Sequence, residues 1–386
     1  MQSPEELRDF LFSFVFGMGK FILQKTLYSL LVLWGVVTVV FFLFNLSPSD
    51  PVRNLVGENA PQEVVDQMRR KLDLDLSLPM RYALYLNDLS PISIHNPAHE
   101  RSRIYFDPAK YSGFQFTLIP ADRSIAFKAP YLKRSFLSER NVSEILKEVM
   151  PGTIVLAVVS IAFALLIGLV FGIISALKKD TFIDRFLLFI SALGMAGPSF
   201  FVAILVAWIG AVLWREHIHI PLLNIDLPGT GLNMTGSLYS VDVWNGEYLD
   251  LKNAILPLIT LTIRPLAVIV QLTRSSLLEV MSQDYIRTAR AKGLSETRVV
   301  VKHALRNALN PVITAVSGWF ASLLAGAVFV EFVFGWKGLG QEMFTAIEKQ
   351  DLPVVMGGVI IIASAFVIIN MIVDLLYAWI DPRVRV

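Results

Sequence analysis

Six stretches of the sequence stay apolar over about 20 residues or more, which is what a helix needs to cross the hydrocarbon of a bilayer. They are Thr26–Leu46, Pro151–Leu177, Phe182–Trp214, Ala254–Met281, Val312–Phe334 and Pro353–Ile380. Gly197–Pro198 interrupts the third, where a kink or break is expected. Of the 386 residues, 54% are hydrophobic and 17% charged, and the mean hydropathy is +0.58. That is too apolar for a water-soluble globular protein. The expected class is an all-α membrane protein with six transmembrane helices, so that both termini fall on one side. No small-residue cleavage site follows a short apolar core near the start, and the first run reads as a retained anchor.

Lysines and arginines give the orientation, because they collect in short cytoplasmic loops. One side carries Arg8, Lys20, Lys25, Lys178, Lys179, Arg185, six more between the fourth and fifth spans, and Arg383 and Arg385. The short loops of the other side carry Arg215, Lys252, Lys337 and Lys349. Fourteen against four puts both termini in the cytoplasm. Residues 1–25 then read as an amphipathic cytoplasmic lead-in lying in the interface, and 26–46 as the first span. Residues 47–150 form a long extracytoplasmic insertion, 151–380 a core with spans two to six, and 381–386 a cytoplasmic tail. Within the insertion, Ala60–Leu76 and Pro79–Leu89 read as helices. Ile92–Ile125 lacks helical periodicity and reads as a small β-rich or irregular subdomain. Glu216–Lys252 is a second outer loop, polar and rich in Gly, Pro and Asn.

The segment 284–310 between the fourth and fifth spans differs from an ordinary loop. It holds Arg287, Arg290, Lys292, Arg298, Lys302 and Arg306 against Asp284 and Glu296, a net +4. Tyr285–Lys292 reads as a short helix with the small residues Ala289 and Ala291. Gly293 can take the left-handed conformation that ends it. Ser295 is placed to cap a second helix, Glu296–Ala308, before Asn310–Pro311 returns the chain to the membrane. Helix, glycine turn and helix is also the outline of a DNA-reading motif, but a segment tethered to the membrane at both ends could hardly enter a groove. A plain positive-inside loop accounts for the charge and leaves the paired helices unexplained. A docking element for a soluble partner accounts for both.

The run Asp284–Leu294, DYIRTARAKGL, resembles the cytoplasmic "EAA" loop of ABC-importer permeases in its dipeptide/oligopeptide/nickel form. Ala289 and Gly293 match the Ala-x-x-x-Gly core of that loop, and Thr288 stands where its opening glutamate usually is. The resemblance continues through Glu331 with the Gly335-x-x-Gly338-x-Gly340 run, Asp351-x-Pro353, and Asn370 to Asp381-Pro382-Arg383. Leu72–Asp75 and Ser135–Phe136 match in the first half, while 92–128 looks like extra material. The resemblance implies a type I ABC importer permease fold in the bacterial inner membrane. It also implies the partners: a second homologous permease, two cytoplasmic ATP-binding subunits and an extracytoplasmic solute-binding protein. ATPase coupling would fall to Tyr285, Thr288, Ala289, Ala291, Lys292, Gly293 and Leu294.

No enzyme constellation accompanies these features. There is no Gly-x-x-x-x-Gly-Lys-Ser/Thr loop, so ATP hydrolysis is expected on other chains. The absence of cysteine excludes thiolate catalysis and disulfides. His217-x-His219 is a weak metal pattern better read as solvated loop, and no cofactor, metal or nucleic acid is expected. Charged residues inside spans are the remaining candidates, because ionised groups at membrane depth tend to face a cavity or a partner. These are Arg264, Glu331 and Asp374. Glu331 and Asp374 could equally form a buried pair or an interfacial cap. Arg264 is read as lining the pathway and offering charge to a peptide carboxylate. Arg274 lies near the cytoplasmic end and can reach the surface without a special role. Gly168-x-x-x-Gly172 permits close helix contact with an unnamed partner. Two competing readings are an ion-gradient-driven secondary transporter and a non-transport membrane scaffold.

Overall fold

The computed structural model describes residues 4–45, 51–57, 59–96, 102–108, 110–117, 124–216, 218–220, 225–242, 244 and 246–380. The chain divides into two compact units, one of residues 1–25, 149–344 and 364–386, the other of 26–148 and 345–363. Helix α1 runs unbroken over Pro4–Asn45. The boundary expected at residue 25 is therefore not a helix end, since no proline stands there to stop the backbone ladder. Short helices α2 (Pro51–Val56), α3 (Gln62–Lys71) and α4 (Leu78–Leu89) follow. α3 is shorter than the expected 60–76, because Asp73 adopts a left-handed φ of 59° and turns the chain.

The larger unit is built on α5 (Val142–Leu177), α6 (Phe182–Ala196), α7 (Ser199–Ala207, continued by a π-helical turn to Leu213), α8 (Ile255–Met281) and α12 (Asn310–Val333). Between α8 and α12 lie α9 (Asp284–Ala291), α10 (Glu296–Arg298) and α11 (Leu305–Ala308). The chain ends with α13 (Leu339–Glu348) and α14 (Leu352–Ile380). Four helices among the described residues are long and apolar enough to cross a membrane, and five if α6 and α7 count as one.

The α6–α7 pair bends by 107° at Gly197–Pro198. Its contacts with α8 show how far it travels. Asp184 bonds Arg274, Gly194 lies against Ile263 and Ala267, and Gly210 lies against Leu256. The pair thus runs antiparallel to α8 past 18 residues, about 27 Å at the helical rise. That length of α8 is close to the thickness of the hydrocarbon. α8 also packs against α12. The Gly168-x-x-x-Gly172 seam finds its partner here too. A Cβ on Gly168 would come within 2.7 Å of Ile269, and one on Gly172 within 2.5 Å of Thr273, so side chains at either position would push α5 and α8 apart. Leu156, Ala203, Leu256, Leu323, Phe334 and Trp336 form the main apolar cluster.

The chain is mostly helical; its strands lie in the stretch read as β-rich or irregular and, unlike the all-α expectation, also in the loop after α7. In the smaller unit, β1 (Ile92–His95), β2 (Gly113–Thr117) and β3 (Ser124–Lys128) make an antiparallel sheet in the order β1-β3-β2. The loop after α7 contains two hairpins, β4 (Ile218–Ile220) with β5 (Ile225–Leu227) and β6 (Tyr239–Asp242) with β7 (Gly246–Leu249). The three-stranded sheet is inverted relative to a usual one. Ile92, Ile94, Phe114 and Phe116 are exposed, while Ser93, His95, Ser124 and Lys128 are buried. The buried face is held by polar bonds. The Lys128 ammonium donates to the Asp88 carbonyl and sits 4.8 Å over the Tyr111 ring, and Tyr111 donates to the Asp88 carboxylate at 2.6 Å. Burial pushes the Lys128 amine down to about 8, against the attraction of Asp88. His95 and Tyr111 are likewise held towards their neutral forms by burial. Elsewhere in this unit Asp351 reaches back 216 residues, accepting from the Ser135 hydroxyl and, at 3.0 Å, from the Phe136 amide.

Candidate coupling site

The basic segment folds as a helical hairpin. α9 ends in a two-bond glycine turn: Leu294 N donates to Ala289 O at 3.4 Å and Gly293 N to Arg290 O at 2.9 Å. Gly293 has a φ of 76°, the left-handed conformation that such a turn requires. Ser295 is extended as a helix-capping residue should be, but its side chain makes no cap bond. Arg290 grips Glu296 across the turn instead, at 2.7 and 3.3 Å. The second arm starts as α10, passes through a π-helical turn at Val299–Ala304 and closes as α11. Asn307 donates to the Tyr285 hydroxyl at 2.8 Å, joining the open ends of the two arms.

The hairpin has two faces. Inward, Ile286, Ala289, Val299, Val300, Ala304 and Ala308 are buried in one cluster with Leu277 of α8 and Ala176 of α5. Leu294 packs against the same cluster. Outward, Thr288, Ala291, Lys292 and Gly293 are exposed, as are Arg287, Arg290, Arg298, Lys302 and Arg306, and Tyr285 is 41% exposed. Among the residues singled out in the sequence, Ala289 and Leu294 therefore hold the hairpin to the helix ends. The other five present its surface. A Cβ added at Gly293 would meet nothing within 4 Å.

Above the hairpin is a group the sequence reading passed over. Arg274 was expected to reach the membrane surface with no special role. Its guanidinium instead forms two bonds to Asp184, Nε to Oδ1 at 2.7 Å and Nη2 to Oδ2 at 2.8 Å. The Asp184 side chain is 2% exposed, and it also accepts from Ser175 and from the Asp180 amide at 2.8 Å. The group ties the α5–α6 turn and α6 to α8 seven residues, about 10 Å, before the end of α8. The available signal was Asp184 itself, an acid at the mouth of an apolar run.

The three in-span candidates separate. Glu331 is fully buried, accepting from Thr153 at 2.6 Å, from Gly340 N at 2.7 Å and from Gln341 N at 3.2 Å. Thr153 in turn accepts from Leu339 N at 2.7 Å. The carboxylate thus caps the start of α13, where the helix offers unpaired amides. The glycine run allows that approach, for a Cβ on Gly338 would lie 2.4 Å from the Glu331 carboxylate. Arg264 is exposed and makes no hydrogen bond or ion pair among the described residues. Only the backbone of Asp374 is described. His217 lies outside the described residues.

The arrangement is that of a multi-helix membrane chain bearing a rigid, basic, surface-presented hairpin. Residues 168–386 match the family described as binding-protein-dependent transport system inner membrane component. Residues 18–95 match the N-terminal region of such membrane components. The chain is 33% identical over 371 residues to a dipeptide transport system permease protein of Alkalihalophilus pseudofirmus, covering 94% of this chain and 98% of that one. It is 34% identical to a di/tripeptide transport system permease protein of Pseudomonas aeruginosa, covering 91% and 94%. Among solved structures, the inward-facing methionine ABC transporter MetNI is similar over 62% of this chain and 97% of that one, at 18% identity and a TM-score of 0.47. The chain belongs to the binding-protein-dependent transport system inner membrane component family, and it is a permease of an ABC importer.

Proposed function

We propose that this chain is one of two homologous permease subunits of an ATP-driven importer of peptides. Two cytoplasmic ATPases bind below, and an extracytoplasmic binding protein delivers the solute from above. The observation that carries the reading is the 284–310 hairpin, whose inner face is fused to the ends of α5 and α8 while its basic outer face is free. A push on Tyr285, Thr288, Ala291, Lys292 and Gly293 passes through Ile286 and Ala289 to Leu277 of α8. From there it moves α8, which Arg274 joins to Asp184 of α6. Six spans in the type I importer arrangement, with both termini cytoplasmic and 47–150 outside, fit the distribution of lysine and arginine. The peptide substrate follows from what the relatives transport. Arg264, exposed on α8 and without a side-chain partner among the described residues, is read as lining the pathway and meeting a substrate carboxylate.

The test is uptake of a labelled dipeptide into proteoliposomes holding the assembled complex and its binding protein. Uptake driven by internal ATP and indifferent to collapse of ion gradients supports the reading. Uptake that follows a proton or sodium gradient without ATP would make the protein a secondary transporter. No uptake under either condition would leave a scaffold.

A further inference from the structure

The smaller unit encloses a cavity of about 260 Å³ that the transport reading does not use. Its floor is apolar, with Phe41 and Phe44 of α1 and Met356 and Ile360 of α14. Its upper wall carries Arg69, Arg81 and Lys133 against one acid, Asp73. Asp73 is already paired with Arg103 at 3.2 Å, and neither Arg81 nor Lys133 has an ion pair among the described residues. Arg81 donates to Asn45, the last residue of α1. Two polar groups are left over. The Tyr85 hydroxyl lines the cavity on a residue only 4% exposed, and it has no hydrogen-bond partner. The Lys133 ammonium makes no hydrogen bond or ion pair among the described residues. It also holds a left-handed backbone, with a φ of 65°, a conformation costly for a lysine and retained where surroundings impose it. Burial pulls the Lys133 ammonium towards its neutral form, with Asp88 and Asp73 opposing at longer range. A buried hydroxyl without a partner, beside a half-buried cation, is costly unless something binds there.

We infer that this cavity seats the phosphate of one anionic phospholipid on Lys133, Arg81 and Tyr85, with the start of one acyl chain along Phe41, Met356 and Ile360 and the rest of the lipid outside. Depth distinguishes a lipid from a hydrated solute. Ile360 lies eight residues into α14 from Leu352, about 12 Å down a helix long and apolar enough to span. A charged head at the end of a span and a tail beside it match how lipids meet membrane proteins. The occupant would tie the end of α1 to the start of α14.

The experiment uses the full chain purified in mild detergent, with thermal unfolding and native mass spectrometry as readouts and dioleoyl phosphatidylglycerol as the probe. The expected result is one retained phosphatidylglycerol per chain and a rise in Tm on its addition. Lys133→Met should weaken the apparent affinity roughly tenfold, as loss of one charge-assisted bond does. Tyr85→Phe guards against a folding artefact, because removing an unpartnered hydroxyl leaves the lipid-free Tm unchanged or higher. With lipid, its Tm shift should be smaller than that of the wild type. Equal stabilisation by inorganic phosphate alone would overturn the proposal in favour of a free-anion site. Stabilisation by dialanine but not by the lipid would overturn it in favour of a peptide subsite. Identical lipid responses in wild type, Lys133→Met and Tyr85→Phe would also overturn it.

Discussion

Asp184 and Arg274 stand 90 residues apart in sequence and meet in a two-bond ion pair that joins α6 to α8 just above the coupling hairpin. Removing one partner of a buried pair strands the other charge, at about 3–5 kcal/mol. Asp184→Asn and Arg274→Met should therefore each lower the Tm of the purified chain sharply. The double variant Asp184→Leu with Arg274→Met should recover much of the loss. If all three were equally unstable, packing and not charge would be the cause.

Glu331 is a helix cap in this structure, and its substitution should behave accordingly. Glu331→Gln keeps the size but leaves one accepting oxygen where there were two; with that oxygen on the Gly340 and Gln341 amides, the bond from the Thr153 hydroxyl is lost, costing about 1–3 kcal/mol. Lower stability with an unchanged KM for peptide in the surviving complex is expected. A changed KM at unchanged Tm would make Glu331 a pathway residue instead.

Arg264 makes the opposite prediction. Exposed and unpaired among the described residues, it can be replaced without cost to folding. Arg264→Leu should assemble normally while uptake falls, by about tenfold if one charge-assisted bond to the substrate is lost. Unchanged uptake kinetics in a normally assembled complex would remove Arg264 from the pathway.

Lys128 gives the three-stranded sheet a pH dependence. Its folded value of about 8 lies below the ordinary 10.5 of the unfolded chain. Below pH 8 both states hold the proton, and the cost of burying the ammonium is fully present. Between pH 8 and 10.5 the unfolded chain holds the proton more tightly, so stability rises with pH, on the order of 1–3 kcal/mol in all. Protection of β3 against proteolysis in the full chain should increase over pH 8–10 in the wild type and less steeply in Lys128→Met, where Lys133 of the same unit still contributes. Equal slopes would rule out the lysine as the source.

Much of this was legible in the sequence because the membrane makes composition decisive. The break at Gly197–Pro198, the turn at Gly293 and the restart at Asn310 fall where apolar runs and backbone chemistry put them. What sequence alone left open depends on long-range partners. Nothing in local pattern says that Asp351 would bond Ser135, or that Arg274 would turn inward to Asp184. Helical and strand periodicity likewise presume an apolar core, and β1 and β3 violate that by burying Ser93, His95 and Lys128. In the coupling segment, the small residues read as one seam. The structure splits them, with Ala289 packed inward and Ala291 exposed.

The central claim is that the outer face of the hairpin receives an ATPase, and Gly293 tests it most directly. Its position is exposed, and a side chain there meets nothing in this chain. Asp and Asn tolerate left-handed backbone, so Gly293→Asp and Gly293→Asn preserve the turn; both add bulk to the surface, and Asp also adds a negative charge. The measurement is co-purification of an ATPase from native membranes, followed by substrate-stimulated ATP hydrolysis. The account predicts that an ATPase accompanies the wild type, and that both variants insert normally but lose the ATPase or its stimulation. An ATPase retained at wild-type activity by both variants, or absent from the wild type, would contradict it.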